Sequence, residues 1–407
     1  MEDLALLGLL TVAIAIGFFL GRRSAASEKA RSFSPDKNYY QGLNYLLNEE
    51  PDEAVEEFVA SLDVNTHTLE THLALGKLMR RQGQVDRAIR IHQNLLARPV
   101  LEDQAQHQVH LELARDFMAA GLLDRAEVLL QEVIGESSDL RGIAQRYLLD
   151  IFQDEREWQD AIDIANALLQ SRYMKNNPDA RRDIQRMIAH FNCELAETAM
   201  SSGNAAVARQ YLERAANVDK GVFRVGLLMA ANDNAQGRHK QVIKTLSRLE
   251  LQNPDWFWMC LAALQEAYQK QDGERGFELF ARHLQSHVHS RNATRVVMYL
   301  VDQFVQRSTA DSARLGQAID TLADFTQRHN SLAASNKLVE LRTHVSGSSR
   351  NHDVLRLQAQ VSELLDLQNV FRCSQCGFSG RQLHWRCPSC KSWESMRSIE
   401  SNSAVQA

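Results

Sequence analysis

A unit of about 34 residues recurs along the chain and constrains its fold more than any other feature. Each unit has a small residue, an apolar or aromatic residue three positions later, often a glycine four beyond that, and an alanine five further on. The two most complete copies are Gly76-Met79-Gly83-Ala88 and Ala114-Phe117-Gly121-Ala126. This spacing predicts pairs of packed helices, because small residues let two helices approach, the larger residue fills the gap, and glycine ends the first helix.

Shorter copies extend the series in both directions: Gly42-Tyr45-Ala54, Leu149-Phe152-Ala161, Gly203-Ala208, Gly237-Val242 and Gly273-Phe277. The step from Ala161 to Ala208 is 47 residues, so we expect an extra helical turn or loop between Arg172 and Met187, broken at Pro178. Beyond Phe277 the repeat fades, and we expect helices there without a repeat. Glycine and proline are rare, with 19 and 6 copies among 407 residues, which also favours a mostly helical chain.

The repeat resembles the tetratricopeptide repeat, whose small, aromatic and alanine positions match Gly42, Tyr45, Ala54 and Phe58, with Pro254 closing a later unit. The resemblance covers about residues 35 to 329. It implies a right-handed α-solenoid in which the first helix of each unit lines a groove that binds peptides or proteins.

Four basic residues fall at groove positions of the second and third units: Lys77, Arg80, Arg81 and Arg115. They form a candidate basic patch for an acidic partner. The alternative is an ordinary solvated helix surface.

The amino terminus contains an uncharged apolar run from Leu4 to Leu20. As a helix it would measure about 26 Å, just enough to cross a bilayer. Arg22 and Arg23 follow the run, so the positive-inside rule predicts a single-pass anchor with its amino terminus outside the cytoplasm and the bulk of the chain inside. Gly8 and Gly17 would allow close packing against a partner helix, although a buried or re-entrant helix is the alternative.

Near the carboxyl end stand two pairs of cysteines with metal-ligand spacing, Cys373 with Cys376 and Cys387 with Cys390. Each pair predicts a turn that directs both sulfurs at one ion, and Gly377 suits the first turn. Four sulfurs fill a tetrahedral site and leave no position for water, which indicates a structural metal, zinc or iron. The knuckles resemble those of rubredoxins, but they lie closer together, and Lys391 stands where a glycine is common.

The residues around these cysteines carry a positive balance, with five basic residues and one acidic residue between Phe371 and Arg397. Arg372, Arg386, Trp385 and Trp393 are therefore candidate contacts for an acidic protein surface, for lipid headgroups or for nucleic acid. The formal net charge of the whole chain is −5, which argues against general nucleic-acid binding.

These features predict a domain order: an anchor over 1–21, a linker over 22–34, the repeat array over 35–345, a linker and amphipathic helix over 346–369, the metal-binding domain over 370–397 and a tail over 398–407. No nucleophile elbow, phosphate-binding loop or dinucleotide fingerprint occurs in the sequence. We therefore expect a binding protein and not an enzyme.

The order of anchor, repeat array and four-cysteine domain resembles the lipopolysaccharide assembly protein B family of Gram-negative bacteria. The resemblance implies an inner-membrane regulator of lipopolysaccharide synthesis. Its implied partners are a membrane AAA+ protease, the deacetylase that commits material to lipid A, and other inner-membrane lipopolysaccharide proteins, and self-association is possible. The alternatives from the residues are a rubredoxin-like iron electron carrier docked by the array and a nucleic-acid-binding zinc ribbon.

Overall fold

The computed structural model describes residues 69–97, 101–286, 293–308, 312–345, 352–367 and 370–399. The predicted anchor, including Leu4, Gly8, Gly17, Leu20, Arg22 and Arg23, and the first predicted repeat, including Gly42 and Phe58, lie outside these residues. Within the described part of the chain, no helix combines the length and the apolar character needed to span a bilayer.

Helices make up most of the described residues, and the chain divides into two units at Ile151 and Phe152. The described residues of the first unit contain α1 Leu69–Arg81, α2 Val85–Leu96, α3 Asp103–Ala119 and α4 Leu123–Glu136. Helix α5, Arg141–Glu155, contains the boundary between the units. The second unit continues with α6 Trp158–Leu169, α7 Arg172–Asn176, α8 Pro178–Ser201, α9 Ala205–Val218, α10 Phe223–Ala235 and α11 His239–Gln252.

After a 3-10 helix, Pro254–Cys260, come α12 Leu261–Asp272, a 3-10 turn Gly273–Arg275, α13 Gly276–Gln285, α14 Thr294–Gln306, α15 Ser312–Arg328, α16 Leu332–Val345 and α17 His352–Leu367. Helices that are neighbours in sequence pack against each other, as α1 does against α2 and α3 against α4. The predicted mainly α fold is therefore confirmed.

The repeated glycines end the first helix of a pair, as the sequence predicts. Gly83, Gly121, Gly203 and Gly237 all have φ between 71° and 81°. In each case the next residue donates its N–H to the carbonyl five residues back, as from Gln84 to Met79 at 2.9 Å. A residue with a Cβ is disfavoured in this left-handed conformation, so the glycines set the sharp turn between paired helices.

One pair lacks this glycine and keeps the turn. Arg156 stands seven residues after Leu149, the spacing that separates Gly83 from Gly76, and its φ is 63°. The N–H of Glu157 donates to the carbonyl of Phe152 at 2.9 Å, which is the same turn as at the glycines. The turn between α5 and α6 therefore holds Arg156 in a conformation that arginine adopts at a cost.

The expected irregularity between Arg172 and Met187 is present. Helix α7 is a single short helix capped by the Ser171 hydroxyl, and the 24-residue α8 begins at Pro178. Proline suits the first helical position because the N–H that it lacks has no partner there. Pro178 is therefore the first residue of α8 and also marks the break between α7 and α8.

Each unit has its own apolar core. In the first unit, buried Leu73, Leu95 and Val109 join α1, α2 and α3. In the second unit, a larger cluster extends from Phe223 on α10 to Leu341 on α16. The helices beyond Phe277 thus share one core with the repeats before them, although their sequences have diverged.

The carboxyl-terminal domain is a three-stranded antiparallel sheet with the strand order β2-β1-β3. The strands are β1 Phe371–Cys373, β2 Ser379–Gly380 and β3 Met396–Ser398. Phe371 pairs with Gly380 on one side and Ser398 on the other. This small sheet carries the first cysteine at the end of its central strand.

Candidate metal centre and its docking surface

The four predicted cysteine ligands converge. Their sulfur atoms all lie within 4.8 Å of one another, with 3.6 Å between Cys373 and Cys390 and 3.7 Å between Cys376 and Cys387. Tetrahedral coordination at a metal–sulfur distance of about 2.3 Å places the sulfurs about 3.8 Å apart. The donor set therefore fits one tetrahedral ion, and these four side chains would hold it as thiolates. Zinc and iron fit equally well.

Both knuckles have the same backbone turn. The N–H of Gly377 donates to the carbonyl of Cys373 at 3.1 Å, and that of Lys391 to the carbonyl of Cys387 at 2.9 Å. Gly377 has a φ of 79° and Lys391 a φ of 59°, so lysine adopts the left-handed conformation that glycine supplies in the first knuckle.

Two hydroxyls lie beside the sulfurs. Ser395 Oγ is 3.3 Å from the sulfur of Cys373, and Ser392 Oγ is 3.4 Å from that of Cys390. Burial acts to raise the pKa of Cys373, but hydrogen bonds with Ser395 and with backbone amides, including that of Gln375, outweigh it and lower this pKa to about 6. The surroundings thus favour the thiolate form at Cys373, whereas burial raises the pKa of the Cys387 thiol to about 11, so metal binding there must displace a proton.

The domain has a small core of its own, formed by buried Phe371, Cys373, Cys387 and Met396. Trp258 from the 3-10 helix of the second unit packs against it, with its ring 5.9 Å from that of Phe371. A core of this size is too small to stabilise a domain alone, so the metal and the contact with the array both contribute to its stability.

Charged side chains of the second knuckle contact the end of α5. Arg386 Nη2 lies 3.0 Å from Asp154 Oδ1, and Lys391 Nζ lies 2.5 Å from Asp154 Oδ2. Arg386 also donates from Nη1 to the carbonyl of Gln153 at 3.2 Å, close to the helix carboxyl terminus, where positive charge is favoured. Burial alone would raise the pKa of Asp154, but hydrogen bonds from Lys391 and Arg386 outweigh it and hold that pKa below its usual range.

Trp393 adds an aromatic contact. Its indole N–H donates to Gln153 Oε1 at 3.0 Å, and its ring stacks on His190 of α8 with centroids 4.7 Å apart. His190 is fully buried, and neither of its ring nitrogens has a hydrogen-bond partner. Burial, reinforced by Arg224 and Arg186, lowers the pKa of His190 to about 3, so the stacked imidazole is neutral at physiological pH.

Trp385 makes a further aromatic contact with the array. It stacks on Trp256 of the 3-10 helix at 5.2 Å, and the Arg224 guanidinium lies 5.6 Å from its ring. Arg397 covers the Trp256 ring at 5.2 Å. A row of stacked rings and guanidinium groups therefore joins the metal-binding domain to α10 and the 3-10 helix.

Glu394 completes the surface at the start of α10. Its Oε1 accepts the backbone N–H of Phe223, the first residue of that helix, at 3.3 Å. Burial is the main cause that raises the pKa of Glu394 above its ordinary value. The segment from Trp385 to Glu394 thus places cations at a helix carboxyl terminus and a carboxyl group at a helix amino terminus, in agreement with both helix dipoles.

Residues 371–398 match the sequence profile described as the rubredoxin metal binding domain. Lipopolysaccharide assembly protein B of Escherichia coli strain K12 is 34% identical, over 96% of this chain and 97% of that protein. The chain belongs to the lipopolysaccharide assembly protein B family. The protein of that name in Haemophilus influenzae is 29% identical over the same shares of the two chains.

Solved structures of repeat proteins also resemble this family member. The carboxyl-terminal part of a TPR repeat-containing protein from Cytophaga hutchinsonii is 11% identical with a TM-score of 0.35, covering 69% of this chain and 97% of that one. PilF of Pseudomonas aeruginosa is 13% identical with a TM-score of 0.30, covering 54% and 91%.

The structure brings three predicted contact residues together, since Trp385, Arg386 and Trp393 all lie on the docking surface. They contact the repeat helices of the same chain, a use that the sequence prediction did not specify. Arg372 is exposed on β1. Sequence reasoning missed the receiving side, which includes Gln153, Asp154, Trp158, Arg186, His190, Phe191, Phe223, Arg224, Trp256, Trp258 and Arg295.

The predicted basic patch lies in the first unit, and three of its four cations are paired with an acid. Lys77, Arg80 and Arg115 all form ion pairs with Glu112, a residue that the sequence analysis did not single out. Arg81 is exposed at the end of α1. Partner binding by these four residues stays a prediction.

Proposed function

We propose that this protein regulates lipopolysaccharide assembly as an inner-membrane adaptor. The observation that carries the proposal is the 34% identity to the Escherichia coli lipopolysaccharide assembly protein B across 96% of the chain. A relationship over almost the whole length includes both the repeat array and the metal-binding domain, so it supports a role for the assembled protein and not for one module.

The site supports a binding role. Four sulfurs complete a tetrahedral shell and leave no open position at which water could be activated. The side chains around the site are engaged in docking to the repeat helices. When bound, the metal supplies a rigid cross-link between the two knuckles, and this chain's own residues position the domain on the array.

In its finer form the proposal is that the array and the metal-binding domain bind the deacetylase that commits material to lipid A and present it to a membrane AAA+ protease. The predicted anchor at residues 1–21 would confine the adaptor to the membrane beside the protease. Confinement raises the effective concentration of a bound client without any new contact.

The test is affinity capture from native membranes, with mass spectrometry of captured proteins and metal analysis of the bait. The parent chain is compared with a Cys387→Ser, Cys390→Ser variant and with Ser389→Ala, which changes an exposed residue of the same knuckle that is not a ligand. The proposal expects the protease and the deacetylase with the parent and the control, and neither with the double variant. Their absence from the parent capture would overturn it.

Anchoring is tested separately by removing residues 1–21. The proposal expects a longer deacetylase half-life in cells that carry the truncated chain. An unchanged half-life at equal protein level would overturn the role of the anchor.

The rubredoxin description of the matched domain favours a second candidate, an iron electron carrier. Cys376, one of the four predicted ligands, is exposed, which would suit electron transfer to a docked partner. This candidate expects stoichiometric iron and a visible absorption that dithionite bleaches reversibly. A colourless protein with stoichiometric zinc would exclude it.

A further inference from the structure

A buried carboxylate organises the basic residues of the first unit. Glu112 lies on α3 with only 5% of its side chain exposed. Its Oε1 is 2.8 Å from Arg115 Nη1 and 3.4 Å from Lys77 Nζ, and its Oε2 is 2.8 Å from Arg80 Nη2. One carboxylate therefore holds cations from both α1 and α3, and we call Glu112 with Lys77, Arg80 and Arg115 the Glu112 cradle.

A second buried acid, Asp116, also binds one of the cations of the cradle. Asp116, one turn further along α3 and fully buried, accepts a hydrogen bond from Arg80 and also bonds the ring of His92. The His92 ring fits because residue 76 is glycine: a Cβ there would lie 2.4 Å from His92 Nε2. The position of Arg80 is thus determined by two carboxylates and by the close packing of the helix pair.

The solvent side of the cradle is cationic. The side chains of Lys77 and Arg115 are 37% and 35% exposed, and Arg81 next to them is exposed as well. The Arg115 guanidinium also lies 5.2 Å from the ring of Tyr147. The four basic side chains outnumber Glu112 and Asp116 by two charges, in a chain whose formal net charge is −5.

Stability alone does not explain such a network. Burying ion pairs has a desolvation cost, and well-packed apolar residues often stabilise a fold as much or more. What a buried carboxylate does supply is fixed geometry for the groups around it, so that a ligand need not order flexible cationic side chains when it binds.

We propose that the Glu112 cradle, together with Arg81, binds the carboxylate side chains of an acidic peptide segment in a partner protein. Guanidinium and ammonium groups at fixed spacing match carboxylates through charge-assisted hydrogen bonds. The net negative charge of the whole chain disfavours long polyanions such as nucleic acids, whereas a short acidic segment meets only the local positive charge. The inference rests on the proposed adaptor function and names the chemistry of one of its contacts.

The experiment uses full-length protein in a mild detergent and a short fluorescein-labelled peptide of alternating Glu and Gly, followed by fluorescence anisotropy. A peptide with Gln in place of Glu is the ligand control. Arg115→Gln and Lys77→Gln should each weaken binding by roughly three- to tenfold. Arg90→Gln, which removes an exposed cation on α2, is the matched control and should leave binding unchanged.

Glu112→Gln separates a cradle from a simple charged patch. The substitution makes the region more positive by one charge, so a charge effect alone predicts tighter binding. Loss of the organising carboxylate predicts weaker binding, and a thermal unfolding scan of the variant shows whether the fold survives. Should it unfold, the two surface variants still decide the question.

Three results would overturn the proposal: equal affinity for the Glu and Gln peptides, tighter binding by a folded Glu112→Gln variant, or equal losses in Arg90→Gln and Arg115→Gln. The assay contains neither protease nor deacetylase. Its failure would thus remove the cradle and leave the membrane-capture test of the proposed function standing.

Discussion

Replacing Asp154 with asparagine should loosen the metal-binding domain from the array and speed the loss of its metal. Asp154 bonds both Arg386 and Lys391, which flank the second pair of ligands. Its side chain is 32% exposed and that of Lys391 is 57% exposed, so solvent weakens the Lys391 pair. The half-buried Arg386 pair contributes about 1 kcal/mol and the lysine pair about 0.5 kcal/mol, which gives about 1.5 kcal/mol for Asp154→Asn.

A difference of 1.5 kcal/mol changes the undocked population roughly tenfold. If metal leaves from the undocked state, transfer of the ion to a chromophoric chelator should accelerate by about the same factor. Asp160→Asn is the matched control, because it removes an exposed carboxylate of α6 and the same charge. A double-mutant cycle with Arg386→Gln should return a coupling of about 1 kcal/mol.

Equal transfer rates for the parent chain and Asp154→Asn would refute this reasoning. They would mean that docking to α5 does not constrain the second knuckle. Acceleration by Asp160→Asn to the same extent would also refute it, because the effect would then come from net charge alone.

Three further predictions concern the helix pairs. Arg156→Gly should raise the free energy of unfolding by about 1 kcal/mol, because glycine relieves the left-handed backbone at that turn, and a denaturant titration that shows no gain would contradict this. Gly276→Ala should lower the thermal midpoint sharply, by the equivalent of about 3 kcal/mol, because its Cβ would lie 2.3 Å from the carbonyl oxygen of Tyr268. Gly316→Ala is the control: a Cβ there meets open space, so the variant should raise the free energy of unfolding by about 1 kcal/mol. Burial acts to raise the pKa of Glu112, but its basic partners outweigh burial and lower this pKa in the folded protein. The ionised Glu112 side chain therefore contributes its full stabilisation above the ordinary pKa of 4.5, and this contribution is lost as the pH falls through the lower pKa of the folded state. The difference in thermal midpoint between the parent chain and Glu112→Gln should therefore shrink below that pH, and a constant difference between about pH 7 and pH 3 would contradict the argument.

Local features of the chain could be predicted from the sequence because their physics is local. The cysteine spacing determines the knuckle turns, and the recurring glycine determines the turn of each helix pair. The longer step before Ala208 likewise predicted an irregularity between Arg172 and Met187 with a break at Pro178, although it did not predict the 24-residue length of α8. These features depend on residues a few positions apart.

The docking surface could not be predicted in the same way. Arg386 and Gln153 are 233 positions apart, and neither belongs to a periodic pattern. One signal was available: two tryptophans within the run Pro254–Cys260 are unusual on a short helical segment, and both contact the metal-binding domain. In the repeat pattern, Pro254 in this run indicates only the end of a unit.

The basic patch shows a second limit. Repeat register placed Lys77, Arg80 and Arg115 on neighbouring first helices, and they do lie together. Register does not show which acids lie beneath them, because Glu112 and Asp116 occur at positions that the repeat leaves undefined. The ion pairs of Lys77 and Arg80 with Glu112 depend on how α1 packs against α3, which the repeat pattern does not specify.

The most direct test of the account is hydrogen exchange of the full-length protein with and without its metal. We expect metal binding by the four cysteine ligands to order the segment from Trp385 to Glu394, which docks on α5, α8 and α10. The Phe223 N–H donates a hydrogen bond to Glu394, so removing the metal should accelerate exchange of this amide. Amides in the core of the first unit should stay protected. Unchanged protection at Phe223 in the metal-free protein would contradict the coupling between the metal centre and its docking surface.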